Sequence, residues 1–162
     1  MEVRFVMLAP RKYSTGGYAF NFRMVKALEQ AGHRVKVFHN GTLPSRIRGS
    51  RFLGSMHLAW NLARDPGDLI IISKSYSYML PLRIFVGLLG TPVLYMVHHF
   101  EWHDRPEAGR PLRKALVKWF VGSGDLIWTN SESTSRDVAA LGVDKGKIRV
   151  VSPGFDPFPV TP

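Results

Sequence analysis

Short apolar runs alternate with segments of helical periodicity along the whole chain, and this alternation limits the fold more than any other feature. The predicted strands are 3–9, 34–38, 69–72, 93–98, 126–128 and 148–151, and the predicted helices are 18–31, 51–63, 79–89, 111–121 and a short one that Ser131 or Ser133 caps and Gly142 ends. Run 69–72 is continuously apolar, as expected of a strand covered on both faces. Because strands joined by helical crossovers pair in parallel, the sequence predicts an α/β fold with a Rossmann-like, open, mainly parallel sheet of about six strands and helices on both faces.

The length and composition fit one domain. A chain of 162 residues can bury a single core, and the lack of cysteine excludes disulfides and agrees with a reducing cytoplasm. Glu2 and Arg4 interrupt the first apolar run, so it does not have the pattern of a secretory signal. Segment 78–97 is about long enough to cross a bilayer. Its Arg83, two prolines and two glycines nevertheless favour a helix, a turn and a strand.

Positive charge is concentrated in the first part of the chain. The formal net charge is +10; residues 1–60 carry ten Lys or Arg against Glu2 and Glu29, which is +8, and the remaining twelve basic and ten acidic residues give +2. No acidic residue occurs between Glu29 and Asp65. We therefore expect an electropositive surface. Two interpretations fit it: a solvated face, or a site for anionic lipid, nucleotide or nucleic acid.

The turn before the first helix carries paired glycines, Gly16 and Gly17, followed by Tyr18. Glycines let the backbone approach a ligand closely, and a helix N-terminus presents N–H groups to an anion. The segment lacks the third glycine of a dinucleotide-binding fingerprint and the lysine of a P-loop. Local spacing by itself favours a tight strand-to-helix turn.

Three histidines and two acidic residues lie within residues 98–104, at the end of the fourth predicted strand. Successive residues of a strand point to opposite faces, so His98 and His99 cannot ligate one ion unless the strand ends between them. The spacing also differs from that of a helical zinc site. We therefore predict no metal site and no cofactor. His98 should instead lie at the edge where open parallel sheets bind ligands.

Two of the predicted helices are amphipathic and basic. Helix 51–63 aligns Phe52, Met56, Ala59, Trp60 and Ala63, and helix 111–121 aligns Leu112, Ala115, Leu116, Trp119 and Phe120. For the second helix, packing against the sheet is the favoured use of the apolar stripe. For the first helix, core packing and an anionic membrane surface both fit, because the basic residues Arg46, Arg48 and Arg51 lie near Trp60 in the sequence.

Five short motifs occur in the same order as in a known enzyme family. They are Gly16-Gly17, Gly32-His33-Arg34-Val35, the strand that ends at His98, Ser131 after the fifth strand, and Pro153-Gly154-Phe155-Asp156. Collectively they resemble the N-terminal, acceptor-side domain of retaining glycosyltransferases of the GT-B fold, glycosyltransferase family four. The resemblance implies that residues 1–155 form this domain, that 156–162 begin an interdomain linker, and that the C-terminal donor-binding domain is absent from the chain.

The resemblance also implies which residues line the cleft between the two domains. His98 is the expected catalytic residue, and His99 stands where the family usually has aspartate. The expected substrate-binding residues are Gly16, Gly17, Tyr18, Lys74, His99 and Ser131, and the expected membrane or anion surface comprises Arg46, Arg48, Arg51 and Trp60. Lys74 and Ser131 also have ordinary interpretations, as an exposed lysine and a helix cap.

By the same resemblance, the chain is expected to be the acceptor-binding half of an enzyme that moves a sugar from a nucleotide-sugar donor to a glycan or lipid-linked acceptor. Such transfer retains the anomeric configuration, needs no metal, and would belong to cell-envelope glycan synthesis in the cytoplasm or at the inner face of the membrane. The chain alone is expected to be inactive. The alternative is a non-catalytic basic module that binds anionic membrane or nucleic acid. Nucleic acid is the less expected partner, because the chain has no motif that reads RNA or DNA.

Overall fold

A computed structural model describes residues 1–8, 16–40, 50–73, 86–100 and 111–152. Its strands are β1 (Glu2–Leu8), β2 (Arg34–Asn40), β3 (Leu69–Ser73), β4 (Val93–Val97), β5 (Leu126–Thr129) and β6 (Ile148–Val150). Its helices are α1 (Gly16–Gln30), α2 (Ser50–Arg64), α3 (Pro111–Gly122) and α4 (Glu132–Ala140), with a 3-10 turn at Lys145–Lys147. Residues 86–88 are also helical, and the rest of the predicted helix 79–89 lies outside the described residues.

The six strands form one parallel sheet in the order β2-β1-β3-β4-β5-β6. In its register Val3 lies between Val35 of β2 and Leu69 of β3. The chain therefore runs from β1 to one neighbour and returns on the other side of β1 with β3. Such a reversal opens a crevice at the carboxyl ends of the strands, where open sheets bind ligands. The predicted fold class is confirmed.

Helices cover both faces of the sheet, but unequally. Of the described helices, α1 alone packs on one face, where Val25 contacts a core that includes Phe5, Ile71 and Met96. The opposite face carries α2, α3 and α4, whose inner residues join Ile70, Ile72, Tyr95 and Ile127 in the larger core. We call these the α1 face and the α2 face. Alternate residues along each strand feed the two cores, as the pleat requires.

Glycines end the helices where the sequence predicts. Gly32 and Gly142 have positive φ angles of 82° and 78°, immediately after α1 and α4. Gly90 has φ 66° between helical residues 86–88 and β4, in agreement with the turn predicted inside segment 78–97. Among the described residues, no helix is both long enough and apolar enough to span a membrane.

The apolar stripe of α2 was only partly predicted. The residues that face the sheet are Ser55, Leu58, Ala59 and Leu62, and all four are buried. Met56 and Trp60, which the stripe included, are 42% and 56% exposed. Helix α2 is apolar on more than one side, so periodicity alone did not decide which side packs against the sheet.

For α3 the predicted use of the stripe is confirmed for Phe120 and wrong for its other large members. Val117, Phe120 and Val121 form the inner side of this helix, and all are buried. Leu112, Leu116 and Trp119 lie outside the core, with 75%, 40% and 47% of their surface exposed. Burial of one side of this helix thus leaves a second apolar side exposed.

The amino edge, where the strands begin, is held by ion pairs on the α2 face. Arg4 of β1 is 5% exposed and bonds Glu2 and Asp65, and its Nε lies 3.1 Å from the Asp65 carbonyl oxygen. Lys36 of β2 reaches the same Asp65 carboxylate at 2.7 Å. Burial opposes the charge on Arg4, but the hydrogen bonds and attraction from Glu2 and Asp65 outweigh it and raise the pKa of Arg4. We call Glu2, Arg4, Lys36 and Asp65 the amino-edge cluster.

Candidate functional site

Three polar side chains meet at the carboxyl edge, where the strands end. Ser73 is the last residue of β3, His98 follows the last residue of β4, and Asn21 lies in α1. Ile71 and Met96 face α1, so two residues later Ser73 and His98 point to the same side. The pleat and the parallel register thus bring residues that are far apart in sequence to one place beneath α1. We call them the carboxyl-edge cluster.

The carboxyl-edge cluster is joined by short hydrogen bonds. Ser73 Oγ donates to Asn21 Oδ1 over 2.8 Å, and His98 Nε2 lies 3.2 Å from the same oxygen and 3.3 Å from Ser73 Oγ. A carbonyl oxygen only accepts hydrogen bonds, so the contact with Asn21 requires a proton on Nε2 of His98. Asn21 therefore selects the Nε2–H tautomer, and Nδ1 becomes the acceptor nitrogen of the ring.

Burial holds this arrangement in place. Asn21 is 6% exposed and Ser73 is fully buried, whereas His98 is partly exposed. The Phe20 ring meets the His98 ring edge to face, with the centroids 5.4 Å apart. A rigid pair of hydrogen-bonding partners and an aromatic ring thus orient a histidine that solvent can still reach.

A small pocket opens beside His98 across the ends of β4 and β5. Its lining residues are Phe20, Met96, Val97, His98, Trp128, Thr129, Asn130 and Val151. Aromatic rings beside a few polar groups are the usual lining of sites for small polar ligands. Its volume is about 10 Å³, enough for one water molecule, so these residues form one wall of a ligand site and not a complete site.

The N-terminus of α4 anchors the backbone at this edge. Thr134 Oγ1 donates to the carbonyl oxygen of His98 over 3.0 Å and lies 3.1 Å from Asn130 Oδ1. Ser131 caps α4, because its Oγ accepts from the Thr134 backbone N–H over 3.1 Å. Of the two predicted caps, Ser131 and Ser133, the structure has Ser131. Helix α4 thereby connects the end of β5 to the end of β4.

A family model described as Glycosyltransferase Family 4 matches residues 16–157. The chain belongs to this family. The match includes every residue of the carboxyl-edge cluster. No curated protein sequence matches the chain at a significant level.

Solved structures share the fold of this family member. HepE of Anabaena in complex with UDP and glucose is 16% identical with a TM-score of 0.65, over 95% of this chain and 45% of that one. The UDP-GlcNAc 2-epimerase of Methanocaldococcus jannaschii is 14% identical with a TM-score of 0.67, over 93% and 45%. Staphylococcus aureus MnaA with UDP gives 13%, 0.63, 92% and 43%. The chain therefore spans less than half of these proteins and has the fold of one half of a GT-B structure, of the N-terminal type.

The residues that the family resemblance singled out are distributed over several places. Gly16 and Gly17 are the first two residues of α1, and Tyr18 lies in its first turn. Because α1 follows β1 in the chain, these residues lie toward the carboxyl edge of the sheet. His99 follows His98 and is exposed. Both histidines lie beyond Val97, the last residue of β4.

The remaining predicted site residues lie either outside the described residues or on α2. Lys74, Arg46 and Arg48 lie outside the described residues. Arg51 lies in the first turn of α2, and Trp60 of the same helix is exposed. Within the described ranges, no three His, Asp or Glu side chains lie together as a metal site would require.

Asn21 and Thr134 were not among the predicted site residues. Asn21 carried a usable signal: it lies four residues before Val25 on the buried side of α1, where a polar residue needs a partner. Thr134 carried a weaker one, three residues after a predicted cap. What the sequence lacked was the strand order that brings β3, β4 and α1 together.

Proposed function

We propose that the chain is the acceptor-side half of a retaining glycosyltransferase that uses a nucleotide-sugar donor. The observation that supports this most is the carboxyl-edge cluster, in which Asn21 and Ser73 orient the partly exposed His98 beside a pocket. Membership of Glycosyltransferase Family 4 supplies the reaction class. Similar structures were solved in complex with UDP or a UDP-sugar, which suggests the same donor class for the whole protein.

In this proposal His98 is the catalytic residue that touches the sugar. Asn21 holds the imidazole through Nε2–H, and the partly exposed side of the ring would contact a sugar hydroxyl. Phe20 and Trp128 would pack against the apolar surface of the ring, and Asn130 would add a second polar contact. His98 would thereby position the reacting sugar, since interactions that hold reactants in register lower the barrier to transfer.

The other substrate contacts of this half would come from the loops at the same edge. We propose that Gly16, Gly17 and Tyr18, at the start of α1, approach the donor phosphates and the acceptor, because a helix N-terminus favours anions. His99, Lys74 and Ser131 are assigned to the rim of the same cleft. No metal ion or cofactor takes part in this scheme.

The proposal divides the labour between two domains. Residues 1–155 form the acceptor side, 156–162 begin a linker, and a C-terminal domain binds the donor nucleotide. This division is supported by the coverage of similar structures, of which the chain matches about 45%. The chain alone is then expected to be inactive, since the groups that stabilise the charge of the transition state lie on the other domain.

The proposed acceptor is a glycan or a lipid-linked sugar in cell-envelope synthesis. A cytoplasmic enzyme that reaches a lipid-linked acceptor must approach the inner face of the membrane. The net charge of +10 and the exposed Trp60 of α2 support a peripheral association with anionic lipid.

Calorimetric titration with UDP-glucose, UDP-N-acetylglucosamine and GDP-mannose tests whether donor binding requires the second domain. The folded chain should bind none of them with micromolar affinity. Micromolar binding would place the donor site within these residues and overturn the two-domain proposal.

A transfer assay tests His98, with the donor-binding domain supplied in the same chain or added separately. His98→Ala should lower kcat/KM for the acceptor by about tenfold to a hundredfold. His33→Ala is the matched control, because His33 lies next to β2 at the amino edge. Equal losses in the two variants would exclude a specific role for His98.

A further inference from the structure

We propose that the pocket beside His98 receives the methyl group of an acetamido substituent, and that the acceptor sugar is therefore an N-acetylhexosamine. The pocket is small, about 10 Å³, and the side chain of Asn130 forms part of its wall. We call this pocket the edge recess. The inference names the acceptor of the proposed transfer, and it rests on the proposed function to that extent.

The walls of the edge recess are mainly apolar. Its apolar lining residues come from α1, from the ends of β4 and β5, and from the segment that follows β6; they are Phe20, Met96, Val97, Trp128 and Val151. A volume of about 10 Å³ holds a group the size of a water molecule or a methyl group, but it does not hold a sugar ring.

The edge recess favours a methyl group over water. The carbonyl oxygen of Thr129 already accepts from the Val151 N–H over 2.8 Å, and the His98 ring is held through Nε2 by Asn21. A buried water makes about three hydrogen bonds, and mainly apolar walls offer few of them. A methyl group instead gains from leaving water, because its transfer into an apolar recess removes apolar surface on both partners.

Asn130 supplies the polar partner that an acetamido group needs. Its Oδ1 accepts from Thr134 Oγ1 over 3.1 Å, in a bond that this hydroxyl shares with the carbonyl oxygen of His98. Thr134 is 5% exposed and lies in the first turn of α4, so it holds the amide in one orientation. Asn130 is partly exposed, and no described residue accepts from its Nδ2. Nδ2 is therefore available to donate to the carbonyl oxygen of a ligand.

One acetamido group can reach both features. Its methyl carbon and its carbonyl oxygen are bonded to the same carbon and lie about 2.4 Å apart. Because Asn130 lines the edge recess, a methyl group inside the recess brings that oxygen close to the Asn130 amide. A sugar hydroxyl in the same place does not fill the recess, and the methyl group of a deoxy sugar brings no carbonyl oxygen to Nδ2. The combination selects an acetamido group.

NMR titration of the isotope-labelled chain with three methyl glycosides tests the edge recess. The glycosides are those of N-acetylglucosamine, glucose and rhamnose, of which the last has a methyl group on its ring and no amide. The N-acetylglucosamine glycoside should bind about tenfold more tightly than the other two, because only it makes both contacts. Its shifts should be largest at Asn130 and Val151. Equal affinities, or no binding of the N-acetylglucosamine glycoside, would overturn the proposal.

A change of volume tests the wall of the edge recess. Val151→Leu should fill the recess and abolish the preference for the N-acetylglucosamine glycoside, while the glucose glycoside binds as it does to wild type. Val150→Leu is the matched control, because Val150 lies two residues after Ile148, on the α2 face of β6, and it should keep the preference. Equal preferences in the two variants would exclude the recess as the methyl site.

A change of one atom tests the donor. Asn130→Asp keeps an acceptor for the Thr134 hydroxyl but has no N–H group, so it should also abolish the preference. Asn61→Asp, on α2, changes the charge equally and should bind as wild type. Circular dichroism should establish that each variant is folded; if one is not, the comparison of the three glycosides on wild type still decides the proposal.

UDP-N-acetylglucosamine, titrated in the same way, separates the acceptor from the donor. It should shift the resonances of Asn130 and Val151 no more strongly than the methyl glycoside does. A stronger effect at the same residues would assign the acetamido group to the donor and overturn the acceptor assignment. The titrations need no turnover, so the preference can hold even if transfer is absent. Transfer to an acceptor that lacks an acetamido group would refute this inference and leave the proposed function intact.

Discussion

The amino-edge and carboxyl-edge clusters both bury polar groups at an end of the sheet, but they use them differently. At the amino edge, Arg4 is 5% exposed and forms ion pairs with carboxylates of the same chain. At the carboxyl edge, Asn21 and Ser73 are buried and neutral, and they orient His98, which remains partly exposed beside a pocket. A buried polar residue therefore does not by itself mark a functional site.

The difference lies in where the hydrogen-bonding capacity of each cluster is directed. In the amino-edge cluster the charged side chains pair with one another, and the backbone of Gly67 packs against Arg4 and Glu2. The carboxyl-edge cluster leaves its last member facing the crevice of the sheet. We expect changes at the amino edge to alter stability, and changes at the carboxyl edge to alter ligand contacts.

Gly67→Ala should have the largest effect on stability. Gly67 has φ 65°, and an added Cβ would lie 2.7 Å from the carbonyl oxygen of Glu2. Strain and overpacking together should lower the free energy of unfolding by about 3 kcal/mol in urea titrations. Gly90→Ala is the control, because Gly90 has nearly the same φ, 66°, with nothing within 4 Å of the added atom; it should lose about 1 kcal/mol. Similar losses would show that the packing at the amino edge adds nothing.

Asp65→Asn should lower the free energy of unfolding by about 2 kcal/mol at neutral pH, because the buried Arg4 loses one of its two anionic partners. Lys36→Gln, at an exposed pair with the same carboxylate, should lose about 0.5 kcal/mol. Hydrogen bonds from Lys36 and Arg4 lower the pKa of Asp65 in the folded state below its ordinary value of 3.8.

The lowered pKa gives the Asp65 effect a definite pH dependence. The unfolded state binds a proton on Asp65 more readily than the folded state does, so this stabilisation is present at neutral pH and is lost as pH falls below 3.8. Urea titrations at about pH 7 and about pH 3 should show the difference between wild type and Asp65→Asn shrinking on acidification. A difference that stayed constant would mean that the charge of Asp65 contributes nothing.

Asn21→Ala should lower the free energy of unfolding by about 1.5 kcal/mol, since the buried Ser73 hydroxyl loses its acceptor. The more specific readout is the imidazole of His98, whose Nε2–H tautomer should lose population in long-range proton–nitrogen spectra. Lys26→Ala, on the exposed side of the same helix, should change neither quantity. An unchanged tautomer in Asn21→Ala would show that Asn21 does not orient His98.

His98→Gln should have the smallest effect on stability, about 0.5 kcal/mol, because the amide can donate to Asn21 in place of Nε2–H. Its effect on acceptor transfer should be much larger, as proposed for His98→Ala. A stability loss equal to that of Asp65→Asn would remove the contrast between the two edges.

Several features were predictable because neighbouring residues decide them. The parallel sheet followed from the alternation of apolar runs and helices, and all six predicted strands are present within one or two residues. Gly32, Gly142 and the Ser131 cap were recognised because a helix end depends on a few adjacent residues. His98 was placed at the end of its strand for the same reason.

The exposed sides of α2 and α3 were not predictable from periodicity. Each helix has apolar residues on two sides, and the hydrophobic pattern does not say which side meets the sheet. The structure buries Leu58 and Leu62 rather than Met56 and Trp60, and Val117 and Val121 rather than residues such as Leu116.

The sequence by itself determined the class of fold, the ends of the helices and the strand-end position of His98, because each depends on local backbone preferences and on apolar periodicity. Only the tertiary structure decided that Asn21 and Ser73 orient His98, from which they are 77 and 25 residues away in the sequence. It also decided that Asp65 pairs with Arg4, 61 residues away. These contacts depend on strand order and register, which result from packing the whole chain and leave no mark on any single segment.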